Sequence, residues 1–181
     1  MVAIIAILAA IAVPNFLEAQ VRAKVSRARA DLRSMATAVE TYRIDNNGYP
    51  THGRVTVAGG VEYRATATTF FDRNEFAANT LTSPVAYVTT LPADPFAVAI
   101  PQPAREIRLY NYINLSFQAK LPGAPPTATM EGLLAQWGGW RMSACGPDQD
   151  RGYDTKTNVF YDATNGTISD GDIMRSQRVT Q

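Results

Sequence analysis

Two of the side chains that build many active sites are nearly missing from this chain, which has one cysteine, Cys145, and one histidine, His52. A single thiol forms no disulfide within the chain and excludes zinc sites built on several thiolates. A Ser-His-Asp relay or a multi-histidine centre would rest on His52 alone, and "GYPTHGRV" reads as an exposed, turn-rich stretch. Internal repeats are absent too. Net charge is small, +1 at pH 7, which gives no reason to expect nucleic acid as a partner. The most informative absence is local: no charged residue precedes Glu18, and the first thirteen residues, "MVAIIAILAAIAV", are apolar without interruption.

That run has four readings. A buried core helix would be apolar on every face and would need burial on all sides, which a domain of this size rarely gives its first helix. A cleaved secretory signal has a small-x-small site at Ala10-Ile11-Ala12 but lacks a basic n-region. A complete membrane span falls short, because Met1 to Leu17 covers roughly 25 Å as a helix against a hydrocarbon core of about 30 Å. The fourth reading, a longer span that begins about five to eight apolar residues upstream of Met1, agrees best with the segment that starts at Pro14.

Pro14 has no N–H for the Ala10 carbonyl, so a kink or unwinding is expected over residues 10–14. Asn15-Phe16-Leu17-Glu18 has the form of a capping box that restarts the helix. Beyond it, Leu17, Val21, Val25, Ala28, Leu32, Met35, Val39 and Tyr42 recur at steps of three and four, one apolar stripe along a helix. Glu18 and Arg22 form an i,i+4 pair. "DNNGYP" stops the helix, with Gly48 suited to the left-handed cap and Pro50 blocking continuation. The expected organisation is a hydrophobic membrane stem over residues 1–17, which the resemblance described below makes an assembly stem as well, an amphipathic spine over 18–49, and a globular sheet domain over 50–181.

The remainder reads as short strands and turns. "GGVEYRAT" is a short strand, and Pro84, Pro92 and Pro95 cut residues 70–96 into turns with room for one short helix. "REIRLYNYINL" alternates, with Ile107, Leu109, Ile113 and Leu115 on one side and Arg108, Tyr110 and Tyr112 on the other, which predicts a half-buried strand. "LPGAPPTAT" is a loop, "MEGLLAQW" one or two helical turns, and "GWRMSAC" a strand ended by "GPDQD". Asn165-Gly166, between alternating segments, predicts a hairpin. The fold class is α+β: a long N-terminal helix packed on a small antiparallel sheet, with a loop-rich C-terminal region.

The stretch "AIIAILAAIAVPNFLEAQVRAKVSRARADLRSMATAVETYRIDNNGYP" resembles the N-terminal helix of type IV pilin-like proteins, and most closely the G-type major pseudopilins of type II secretion systems. The Ala/Ile-rich stem, the proline, the Asn-Phe pair and the Asn-Asn-Gly-Tyr-Pro stop match in order. Family members carry a basic leader, a glycine before the cleavage point, a phenylalanine and a glutamate ahead of this stem, a stretch about as long as the missing membrane length. The resemblance implies a pilin-like fold and a structural, non-enzymatic subunit of a pseudopilus filament, held in the bacterial inner membrane by a single pass. Its globular domain would lie in the periplasm or on the filament. Its partners would be copies of itself, other pilin-like subunits and secretion-system assembly proteins. In that role Ala3, Ile4, Ile5, Ala6, Ile7, Leu8, Ala9, Ala10, Ile11, Ala12, Val13, Pro14 and Phe16 form the stem, where small residues permit close helix approach. The basic residues after the stem favour by themselves a cytoplasmic domain, opposite to the family's orientation. The alternatives are a minor type IV pilin used in adhesion, motility or DNA uptake, and a membrane-tethered domain that does not assemble.

"GPDQD" and "SDGDI" place carboxylates on tight turns, the oxygen chemistry that calcium takes. G-type pseudopilins have a calcium-binding loop between the last strand and the C-terminus, and Gly146-Pro147-Asp148 and Gly171-Asp172-Ile173 are similar to its edges, with a longer spacing here. The candidate calcium ligands are therefore Asp148 and Asp172, with Asp150 and Asp170 in addition. The other reading is solvated turn residues. A carboxylate-pair hydrolase is the hypothesis of a different class, but aspartates in open turns do not supply the raised pKa that general-acid work needs.

Overall fold

The computed structural model describes residues 2–50, 55–57, 61–63, 81–96, 110–120, 127–149, 159–165, 169 and 171–180. His52, Ile107, Arg108, Leu109, Asp150, Asp170 and Gly166 lie outside the described residues.

Helix α1 spans Val2–Asn46, 45 residues with Pro14 inside it. It runs without interruption, so the expected break and the Asn15-capped restart do not form. Proline removes one i→i−4 hydrogen bond, and the ladder on either side carries the helix across the gap. The Glu18–Arg22 pair is formed. Val25, Ala28, Leu32, Met35, Ala36, Ala38 and Val39 are buried, with Val21 and Tyr42 half-buried beside them. The expected stripe thus faces the domain from Val21 onward. Its first member does not: Leu17 is 53% exposed and belongs with the stem. The helix stops one residue earlier than Gly48 would imply, because Asn47 takes the left-handed conformation at φ 52°. Asparagine is the usual substitute for glycine at that position.

Strand β1 (Val55–Val57) pairs antiparallel with β2 (Val61–Tyr63), of which the sequence pattern indicated only the second. The main sheet has the order β3-β4-β5, all antiparallel, with β3 Asn111–Asn114, β4 Trp140–Ala144 and β5 Ile173–Ser176. Tyr112 stands opposite Met142, and Ala144 opposite Ile173. Two short helices join β3 to β4, α2 (Leu115–Gln118) and α3 (Thr127–Trp137). Asn114 caps α2 by accepting from the Phe117 N–H at 2.9 Å. The start of α3 takes in Thr127 to Thr129, which the sequence pattern assigned to a loop.

β3 is buried on both faces, not on one. Tyr110 and Tyr112 join Trp140, Met142, Ala144 and Ile173 against α1, while Ile113 and Leu115 join Trp137 and Met174 in a second cluster covered by Leu133, Leu134 and Val179. The tyrosines that alternation placed on the polar side therefore face the main core. Each hydroxyl has a polar partner there, as a buried phenol requires. Tyr110 Oη donates to Asp31 Oδ2 at 2.8 Å and Tyr112 Oη to the Pro50 carbonyl at 2.9 Å. Higher on α1, the Trp140 indole donates to Glu40 Oε1 at 2.7 Å. Asn114 Nδ2 ties the end of the helix down through the Tyr49 and Pro50 carbonyls, at 3.2 and 3.0 Å.

The predicted hairpin turn at Asn165-Gly166 includes Gly166, which lies outside the described residues; the residues just before it form a turn of their own. The Asp162 carboxylate accepts from Thr164 N and Oγ1 at 2.8 and 2.7 Å, making a local turn. Phe160 then bridges Asp172 in parallel sense. β5 takes its antiparallel partner from β4, far away in sequence.

The tyrosines give the domain a pH signature. Burial pushes the hydroxyls of Tyr110, Tyr112 and Tyr49 above their ordinary value, and the hydrogen-bonded Asp31 adds to the effect at Tyr110. Folded-state values above the unfolded value of about 10 mean that this contribution is complete below that pH and is lost as pH rises past it. The denaturant midpoint is expected to be flat between about pH 7 and 9 and to fall beyond about pH 10. In Tyr110→Phe the alkaline fall should be shallower, as read from denaturation curves at each pH.

Candidate functional site

Two regions carry the residues singled out above. The first is the stem. Ala3, Ile4, Ile5, Ala6, Ile7, Leu8, Ala9, Ala10, Ile11, Ala12, Val13, Pro14 and Phe16 are all exposed along one uninterrupted helix. The most apolar window of α1 has a mean hydropathy of 2.2 and none of it is buried in the domain. A core helix would show the opposite, so this segment is a candidate membrane anchor by length and composition. At its base lies a groove of about 420 Å3, lined among the described residues by Pro14, Asn15, Leu17, Glu18, Gln20, Val21 and Lys24. The stripe continues below the domain there, which is why Leu17 keeps the right spacing and finds no core. The sequence carries no separate signal for this groove.

The second region is the acidic turn after β4. Cys145 and Gly146 leave the strand, Gly146 has φ +34°, and a β-turn closes from the Gln149 N–H to the Gly146 carbonyl at 3.1 Å. Three backbone segments meet here. A Cβ on Gly146 would lie 2.2 Å from the Gly171 carbonyl oxygen, and one on Gly171 would lie 2.3 Å from the Phe160 carbonyl. Only glycine admits such approaches. Asp172 is held by its backbone, donating to Val159 O and accepting from Tyr161 N, both at 3.0 Å. The fold therefore brings the Asp148 turn against the segment that carries Asp172, two of the four predicted ligands. Both Asp148 carboxylate oxygens are shielded from solvent. Arg141 is held below the usual guanidinium range by burial, and the Asp172 charge opposes that effect. Among the described residues no three His, Cys, Asp or Glu side chains are grouped to hold a metal. The donors present are carboxylate and carbonyl oxygens, the set that suits a hard cation and not a soft one.

Asp94 is a supporting residue that sequence reasoning missed. It is buried, and its carboxylate accepts from Phe96 N and Cys145 N, both at 2.9 Å. That clamp fixes the chain immediately before Gly146. "ADPF" announced a turn; that its aspartate braces a strand end fifty-one residues away depends on the fold.

A family model described as type II secretion system protein G matches residues 15–100. No curated protein and no solved structure matches the chain. The matched residues take in the base of the stem, the domain-facing part of α1, and the turns that end at Phe96.

Proposed function

We propose a filament role for a chain that, through residues 15–100, belongs with the type II secretion system protein G family. It is a pseudopilin-type subunit, and its long apolar helix α1 is a candidate membrane anchor. The reading goes further: the subunit waits in the bacterial inner membrane, stem inserted and domain in the periplasm. It then leaves the bilayer as many stems bundle at the centre of a pseudopilus with copies of itself and other pilin-like subunits, guided by secretion-system assembly proteins. The observation that carries it is the exposed stem, continuous with a helix whose stretch from Val21 to Tyr42 is the spine of the core. The bundle replaces lipid contacts with packing in which alanines at positions 3, 6, 9, 10 and 12 let backbones approach. The domains tile the outside and act as spacers, with no chemistry of their own. Co-expression with a type II secretion assembly apparatus is the test. Incorporation of the full chain into sheared filaments is expected, and its retention in the membrane as a monomer would overturn the filament reading.

Calcium is the ion proposed for the acidic turn. Asp148 and Asp172 would hold it, with Asp150 and Asp170 as further donors, and when bound it would tie the turn after β4 to the segment before β5. At a hundredfold excess over Kd, one site adds about 2.7 kcal/mol, or about 5–10 °C in Tm for a chain of this size. Calorimetry with calcium and with chelator should show that difference in the parent chain and not in Asp148→Asn. Equal melting temperatures in calcium and chelator would remove calcium from the account.

A further inference from the structure

The residues just past the stem form a cationic collar whose position relative to a bilayer is set by the helix itself. We propose that Arg22, Lys24 and Arg27 dock the base of the domain onto anionic lipid headgroups on the domain side of the membrane. The inference rests on the membrane-anchor reading of the stem and adds a second contact to it.

The apolar surface ends at Leu17, and Glu18 is the first charge. Along an unbroken helix Arg22, Lys24 and Arg27 lie beyond Leu17 by roughly 8, 10 and 15 Å at 1.5 Å per residue. A headgroup layer is about 5–7 Å deep on each side, and the field of its charges extends about one Debye length, about 8 Å, beyond it. Arg22 and Lys24 fall inside that reach and Arg27 at its limit, whereas Arg33, at roughly 24 Å, falls outside. The three are also available. The side chains of Arg22 and Arg27 are 68% and 66% exposed, and Lys24 is exposed beside the Phe96 ring. Of the nearby acids, Glu18 is paired with Arg22. Asp31 is turned into the domain, where it accepts from Tyr110 Oη at 2.8 Å, and its carboxylate stays 3.8 Å from Arg27 Nε. Residues 18–27 thus carry two net positive charges at the membrane surface. Anionic headgroups are the complementary partner, and attraction of roughly fivefold per charge shifts the docked-to-free ratio by about 25-fold.

The test uses the full chain reconstituted in phosphatidylcholine vesicles with and without phosphatidylglycerol. A spin label is placed on the exposed Ser26 as Ser26→Cys; Cys145 is buried and stays unlabelled. A second preparation carries the label at Ile7→Cys. Relaxation by headgroup-bound nickel at position 26 should rise with phosphatidylglycerol and fall back in high salt. It should be lost in Arg22→Gln/Lys24→Gln/Arg27→Gln and kept in Arg22→Lys/Arg27→Lys. The same relaxation in both lipids overturns the proposal. So does a glutamine variant that responds to lipid like the parent, or one whose only defect is weaker cross-linking between copies in neutral vesicles. The position 7 label separates this from the premise: if it is not immersed in acyl chains, the anchor reading itself fails.

Discussion

Removing residues 1–16 is expected to convert the protein into a water-soluble monomer with an almost unchanged melting temperature and no capacity to polymerise. Both halves of that expectation come from where burial begins. No residue from 2 to 17 is buried, the first half-buried member of the core is Val21, and the first fully buried one is Val25. The domain therefore loses no packing, and a change in Tm of no more than a few degrees is expected, since surface changes usually stay within about 0.5 kcal/mol. The stem loses everything it does. On the membrane-anchor reading such a helix is held in a bilayer effectively irreversibly, so flotation with neutral phosphatidylcholine vesicles should go from complete to undetectable. Analytical ultracentrifugation of the shortened chain should give one monomeric boundary in conditions that drive the full chain into filaments. Polymerisation by the shortened form would sink the assembly reading, as would a full chain that stays monomeric in water with its N-terminal helix folded onto the domain.

Trp140→Ala is the substitution inside the domain with the largest expected effect. The indole is 2% exposed, packs against α1 from the central strand, and donates to Glu40 Oε1 at 2.7 Å. Truncating a buried Trp costs about 3–5 kcal/mol, a large share of the roughly 5–15 kcal/mol that holds a domain folded. At about 2–4 °C per kcal/mol for a chain of this length, the melting temperature should fall by about 6–20 °C. The hydrogen bond is the smaller part of that loss. Glu40 also accepts from Tyr49 Oη at 3.3 Å and lies 3.6 Å from the Arg43 guanidinium, so it keeps partners when the indole goes. Glu40→Gln retains an acceptor for Trp140 and should cost less than about 1 kcal/mol. A Trp140→Ala protein melting within a degree or two of the parent would show that α1 is not held by this face of the sheet.

Much of α1 was legible because its signals are local. A step of three and four residues names the face that packs, and it did so correctly from Val21 to Tyr42. A run with no charge names the stem. The local pattern failed at Leu17, Asn15 and Gly48, each for a reason outside it. Leu17 has the right spacing but the domain ends before it reaches that turn. Asn15 has the right chemistry for a cap, but an intact helix leaves no free N–H groups for it to bind. Gly48 suits a left-handed turn, but Asn47 comes first and takes it.

The sheet was harder to read because each strand answers to partners far away. Alternation in "NYINL" separates two faces, and it does not say that both are covered. That is decided by α1 on one side and by Trp137, Leu133 and Leu134 on the other. Ile173–Ser176 pairs with Trp140–Ala144 across some thirty residues, a partner that no local pattern names.

The amino-acid sequence alone determined that this protein is a greasy, uncharged stem running into an amphipathic spine, because helical periodicity and the distribution of charge are properties of neighbours along the chain. Tertiary structure alone decided where burial begins, at Val21, and that the Asp148 turn meets the Asp172 segment under the clamp of Asp94. Those are contacts between residues tens of positions apart, and they exist only once the sheet has chosen its register against the helix.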